Sequence, residues 1–247
     1  MNEEDVESGR LRPMPEDWQR ALAVVAHPDD MEYGASGAVA RWTDEGREVA
    51  YLLATRGEAG IDGMSPEEAA PIREQEQIAS AAAVGVERVE FLDHRDGVIE
   101  YGLRLRHDIT AAVRRHRPEL VVITNHRDTW PGGALNMADH RHTGLATLDA
   151  VRDAGNRWVF QDLLAEGLEP WQGVRWVAVA ASPFPTHAVD ITTTFERAVE
   201  SLHCHRAYLE GLGQTEDDAR RFLREGAELS GRRFGGVLAT DFELLTL

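Results

Sequence analysis

The sequence is short of several things, and each shortage excludes something. Among 247 residues there is one cysteine, Cys204, so no intramolecular disulfide can form and a reducing compartment suits the chain. No apolar run reaches the roughly 20 residues that a membrane-spanning helix needs. The opening stretch MNEEDVESGR is acidic and lacks the basic-then-apolar order of a secretory signal. A cytoplasmic location is the expectation. Glycine-rich phosphate loops are missing too: GASG (34–37) lacks the dinucleotide-fingerprint spacing, and no Gly-Lys-Ser/Thr occurs. Positive charge is in deficit, with 26 Lys and Arg against 43 Asp and Glu, a net −17. Such a surface repels phosphate backbones and anionic lipid, so neither nucleic acid nor membrane is expected as a partner.

What is present is a globular α/β chain, 43% hydrophobic. Residues 1–17 read as a flexible tail and 18–247 as one domain. Strand-like runs at ALAVVA (21–26), EVAYLLAT (48–55), VERVEFLD (86–93), ELVVIT (119–124) and VRWVAVAA (174–181) alternate with helical segments. Those segments lie at 35–45, from Ser65 towards Gly85 with a doubtful point at Pro71, at 103–116, near 139–153 and over 192–212. This alternation predicts a Rossmann-like, doubly wound, mainly parallel sheet, with any ligand site at the carboxyl ends of the strands.

Two segments bring chemistry to such ends. AHPDD (26–30) follows the first strand and NHRDTWPGGALNMADHRHTG (125–144) the fourth. Each offers histidine and aspartate, a donor set suited to zinc, and a catalytic zinc needs three protein ligands and one open position. His27 and Asp30 are three apart on a turn entering a helix and can share a metal, which leaves Asp29 free to accept a proton. The alternative is that both aspartates cap the following helix. His203, Cys204 and His205 are consecutive on a helical pattern and splay about 100° each, too far to chelate one ion.

AHPDDMEYGASG resembles the signature of the PIG-L/LmbE-like zinc deacetylases, which remove acetyl groups from N-acetylglucosamine derivatives. ADHRHTG resembles the second signature of that family. IREQE, FLDHRDG and HAVDIT with ERAVESLHCHRAY are similar to its supporting motifs. The resemblance implies His27, Asp30 and His140 as metal ligands and Asp29 as general base. It implies Arg73 and Asp96 as sugar-hydroxyl contacts, with Asp139 and Glu32 supporting the site from behind. Asp139 could equally cap its helix. The implied cofactor is Zn2+, with Fe2+ as the cellular alternative, and the implied substrate is a small amino-sugar molecule. A homo-oligomer is compatible with all of this.

The sequence also departs from the pattern. The usual second signature is His-Pro-Asp-His, and this chain has Met137-Ala138-Asp139-His140. Methionine cannot protonate a leaving amine. Leu135 stands where some relatives place a tyrosine aimed at the oxyanion. His187, beside the strand-like AVDIT, is the first candidate for the missing acid, and His126 is the second. The expected activity is hydrolysis of an N-acetyl amide on an N-acetylglucosamine-containing molecule. Two alternatives are an amidase or esterase acting on a thiol conjugate or secondary metabolite, and a non-catalytic binding protein on the same fold.

Overall fold

The apolar runs become strands of one sheet in the computed structural model, which describes residues 9–247. The strands are β1 (Arg12–Pro13), β2 (Arg20–Val25), β3 (Glu48–Leu53), β4 (Arg88–Phe91), β5 (Leu120–Thr124), β6 (Trp176–Ala180), β7 (His187–Asp190) and β8 (Ala239–Thr246). Their order is β1-β7-β8-β6-β5-β2-β3-β4. Pairing is parallel throughout, except that β8 runs antiparallel between β6 and β7.

Side chains alternate across the central strands, as the two-residue period requires. Ala21, Ala23 and Val25 pack on one face with Trp18, Trp42, Tyr51 and Phe242. Leu22, Val24 and Ala26 pack on the other with Ile109 and Ile123. Both faces are therefore covered, which is why β2 reads as an unbroken apolar run.

The helices are α1 (Asp30–Gly34), α2 (Ser36–Asp44), α3 (Pro66–Ala83), α4 (Leu103–His116), α5 (Ala138–Ala154), α6 (Asp162–Ala165), α7 (Phe195–His203), α8 (Arg206–Gly211) and α9 (Glu216–Arg232). α3 continues through Pro71. Glu67, whose carbonyl the proline leaves without its helical donor, is exposed to water. The single helix expected over 192–212 is instead two. The backbone turns at His205, with φ −83° and ψ 54°, and this buries the imidazole completely.

The expected tail needs correction as well. Its first eight residues lie outside the described residues, but from Leu11 onward the segment is anchored. Arg12 and Pro13 pair with His187 and Ala188, and Leu11, Met14 and Trp18 are buried. A two-residue strand among prolines carries no periodic signal, so the sequence pattern could not announce it.

β2 has β3 on one side and β5 on the other. The chain leaves β2 in one direction and returns beside it from the other, which makes the carboxyl ends of β2 and β5 the topological switch point. A crevice opens at such a point. The two histidine-bearing loops both emerge there.

Candidate metal centre

Past β2 the chain turns sharply. Asp29 adopts a left-handed backbone, φ 84° and ψ −19°, a conformation that aspartate tolerates better than most residues. Its N–H donates to Gln77 Oε1 at 3.0 Å. The turn sends Asp30 back on itself, so that Oδ2 accepts from the N–H groups of Ala26 (2.9 Å) and His27 (3.0 Å). Asp30 Oδ1 then faces His140 Nε2 at 2.9 Å. Neither aspartate caps α1 through its side chain.

His27, Asp30 and His140 converge, with one donor atom from each lying within 4.8 Å of the others. The hydrogen bonds behind the two imidazoles decide which nitrogens face inward. Asn136 Nδ2 donates to the carbonyls of Asn125 (2.7 Å) and Arg127 (3.0 Å), so its Oδ1 is the acceptor opposite His140 Nδ1, at 3.0 Å. His140 therefore carries its proton on Nδ1 and turns the Nε2 lone pair to the cluster. His27 Nε2 lies 3.3 Å from Asp139 Oδ2 and 3.0 Å from Asp96 Oδ1, which leaves Nδ1 toward His140 Nε2, 3.2 Å away. Two imidazole nitrogens and a carboxylate oxygen aimed at one point, each imidazole backed by an oxygen acceptor, is the donor set of a divalent transition metal. The residues fit the ion.

Charge in the cluster follows from burial and neighbours. Burial alone would depress His27, but the carboxylates of Asp139, Asp30 and Asp96 outweigh it and hold the imidazole well above its usual range. Burial alone would raise Asp30, but His140 and His27 overcome it and keep the carboxyl far below the usual range. Asp29 goes the other way. Burial pushes it up to about 6, opposed by the Arg73 charge and reinforced by that of Asp30.

Asp139 does not cap α5. Its oxygens accept from Gly97 N (2.7 Å) and Ile99 N (3.1 Å) while Oδ2 supports His27. Glu32 sits one step further out. Its Oε1 accepts from Gln77 Nε2 (3.1 Å) and Ser80 Oγ (2.6 Å), and its Oε2 lies 3.6 Å from His205 Nε2. Gln77 thus ties Glu32 to the backbone of Asp29.

Arg73, expected as a sugar-hydroxyl contact, borders the cleft but also reaches behind Asp29. It is 2% exposed, and Nη2 donates to Pro28 O (2.8 Å) and Asp29 Oδ2 (2.5 Å) while Nη1 donates to Gly57 O (2.9 Å). Its guanidinium carbon lies 4.0 Å from the centroid of the Tyr208 ring. One of its hydrogen bonds holds the Asp29 carboxylate, two hold the backbone carbonyls of Pro28 and Gly57, and its buried Nε has no partner among the described residues. Asp96 lines the cleft as expected, but one oxygen faces His27 and the other accepts from Ala59 N at 2.8 Å.

His187 is not brought to the cluster. It pairs with Phe242 on β8 and Arg12 on β1, four strand positions from β2, or about 19 Å at the usual strand spacing of ~4.8 Å. Its Nδ1 lies 2.8 Å from Thr186 Oγ1, and burial with the Arg12 charge lowers it to about 4. The strand end was read correctly, but the insertion of β8 displaces it sideways. His126 is half-buried and packs against Gly144, where a Cβ would approach its own Cβ to 2.5 Å. Met137 lines the cleft and is half-exposed, and Leu135 is exposed.

Two supporting residues escaped the sequence reading. Gln77 follows Arg73 by four on α3, a spacing that places the pair on one side of the helix, and Asn136 precedes His140 by four from just outside α5. That spacing was the available signal.

The cluster opens into a cleft of about 830 Å³ bordered by Tyr33, Trp130, Met137 and Tyr208. Residues 22–151 match the family model described as PIG-L, GlcNAc-PI de-N-acetylase. The chain is 32% identical over 197 residues to diacetylchitobiose deacetylase of Thermococcus kodakarensis, covering 77% of this chain and 70% of that protein. It is 30% identical to the 1D-myo-inositol 2-acetamido-2-deoxy-alpha-D-glucopyranoside deacetylase of Kineococcus radiotolerans, over 62% of this chain and 50% of that one. The solved N,N'-diacetylchitobiose deacetylase of Pyrococcus horikoshii superposes with a TM-score of 0.82 at 26% identity, covering 94% of this chain and 85% of that one.

Proposed function

The chain belongs to the PIG-L family of de-N-acetylases, and from that premise we propose that it is a metal-dependent hydrolase. It removes an N-acetyl group from a small molecule containing N-acetylglucosamine. The observation that carries the reading is the convergence of His27, Asp30 and His140 beside a carboxylate, Asp29, that no ligand role requires. His27 Nδ1, His140 Nε2 and Asp30 would hold the ion, which we assign as zinc. When bound, such an ion supplies acidification of water and polarisation of the acyl carbonyl.

The chain's own groups do the rest. Arg73 holds one oxygen of Asp29 and fixes its orientation. The other oxygen accepts a proton as water adds to the carbonyl carbon, a general-base role suited to a carboxyl raised towards neutrality. The carbon–nitrogen bond then breaks as that proton passes from Asp29 to the departing nitrogen, leaving acetate and a free amine. One group serves as base and then acid, because Met137 on the cleft wall can do neither. Asp96, at the cleft border, is the carboxylate offered to a sugar hydroxyl.

The reading is tested by acetate release from N-acetylglucosamine, diacetylchitobiose and N-acetylglucosaminyl-inositol, with metal-stripped and zinc-loaded protein. Zinc-dependent acetate from at least one is expected. Silence across the panel with every divalent metal tried would overturn it.

A further inference from the structure

One monosaccharide is too small for the cleft. At about 830 Å³ the space is of a size that buries a drug-like ligand rather than a single sugar ring. Ser230, Arg233, Thr240 and Asp241 add polar groups to its lining, while the carboxylates and histidines of the metal cluster are gathered in one part of it. Beyond them, α9 presents Phe222, Gly226 and Leu229 to the cleft, spaced i, i+4, i+7 on one helical face. Phe222 is 58% and Leu229 64% exposed, although α9 already has a core-facing side at Ala219, Ala227 and Gly231. Gly226 sits between the two large side chains, and a Cβ built there meets nothing within 4 Å. Glycine disfavours a helix interior, and here it leaves a notch in an apolar wall.

The continuity of the lining indicates which part of a substrate reaches this wall. Tyr33 stands one helical turn beyond Asp29, a rise of about 5.4 Å. Phe222 meets its ring edge-on at a centroid distance of 5.5 Å. Tyr33 thus joins the metal cluster to the wall within one cleft, so that the part of a substrate extending from the scissile amide along the cleft meets the wall. Resting on the deacetylase reading above, we propose that the substrate carries an apolar aglycone, an alkyl or aryl group on the sugar, seated on the Phe222–Gly226–Leu229 stripe.

The test uses zinc-loaded protein and the methyl, butyl and octyl β-glycosides of N-acetylglucosamine below their micellar concentrations. Both acetate release and calorimetric binding are measured. From methyl to octyl, KM and Kd should each fall about 10-fold or more, since each buried methylene contributes. Phe222→Asp and Gly226→Leu should each flatten that dependence. A flat wild-type series, with the methyl glycoside still turned over, would overturn the aglycone while leaving the deacetylase reading in place. Tighter binding of the octyl compound without acetate from any would support the groove and remove the deacetylase reading. Preference for an N-octanoyl over an N-acetyl methyl glycoside would move the chain from aglycone to acyl group and refute the assignment. So would a change of oligomeric state in Phe222→Asp with the length dependence intact, which would give the stripe to a second copy.

Discussion

Asp139 stands directly behind His27, with Oδ2 3.3 Å from Nε2, and is itself held by the N–H groups of Gly97 and Ile99. Such a partner fixes both the ring and its tautomer. Asp139→Ala should weaken zinc affinity by about 10–100-fold with the fold retained, as read by chelator competition and far-UV dichroism. Unchanged affinity would mean that Asp96 alone suffices to orient the ring.

Asp29→Asn should keep metal affinity close to that of the parent while lowering turnover on the order of 10²–10⁴-fold, the range for a general base. Atomic absorption after dialysis and an acetate assay separate the two effects. Joint loss of metal and activity would make Asp29 a ligand.

Metal binding should tighten as pH rises from 6 to 8. His27 is held above its usual range by Asp139, Asp30 and Asp96 against the effect of burial, so an incoming ion must displace a proton. Calorimetry in buffers of different ionisation enthalpy should register that release. Stability of the metal-free protein follows the same sign. A raised folded pKa contributes stability that is fully present below the unfolded value and lost as pH rises through the folded one. His27 acts this way above its ordinary value of 6.5, whereas Asp29, raised from 3.8 to about 6 mainly by burial, gives up most of its share before pH 6 is passed. The metal-free form should therefore melt at lower temperature at pH 8 than at pH 6, and zinc should narrow the gap.

His187→Ala should leave turnover within about 2-fold, because the residue lies four strands from the ligand loop and is held neutral by burial. Met137→His, on the cleft wall, should raise turnover by supplying a second acid, within the 10²–10⁴-fold ceiling for such groups. Steady-state kinetics on one substrate decides both. A dead His187→Ala enzyme with full metal content would refute this account of the fold.

Much of the centre could be read from the chain because its ligands follow strand ends directly. His27 comes two residues after β2, and apolar runs mark strands well. His140 was legible from its motif. The role of Arg73 was not, since a buried arginine and a rim arginine look alike in sequence, and only the left-handed turn at Asp29 brings that carboxylate under its guanidinium. The displacement of His187 depends on β8, whose ATDFELLT (239–246) mixes polar and apolar residues without a clean two-residue alternation and follows a charged helix. Pairing across more than 50 residues leaves no local mark.

β8 also sets an order of events during synthesis. β7 has two neighbours, β8 and the two-residue β1, and β8 is made after all the other described strands. Until it leaves the ribosome, β7 and β1 have no secure place in the sheet. The segment from Leu11 to Trp18, made before the rest of the sheet, must wait for β8 more than 200 residues later. The central strands β2, β3 and β5 can pair well before that, so the metal ligands can assemble on a nascent chain whose far edge is still open. Such a chain exposes an unpaired β6 edge in the interval, and slow translation between β6 and β8 would lengthen its exposure to aggregation.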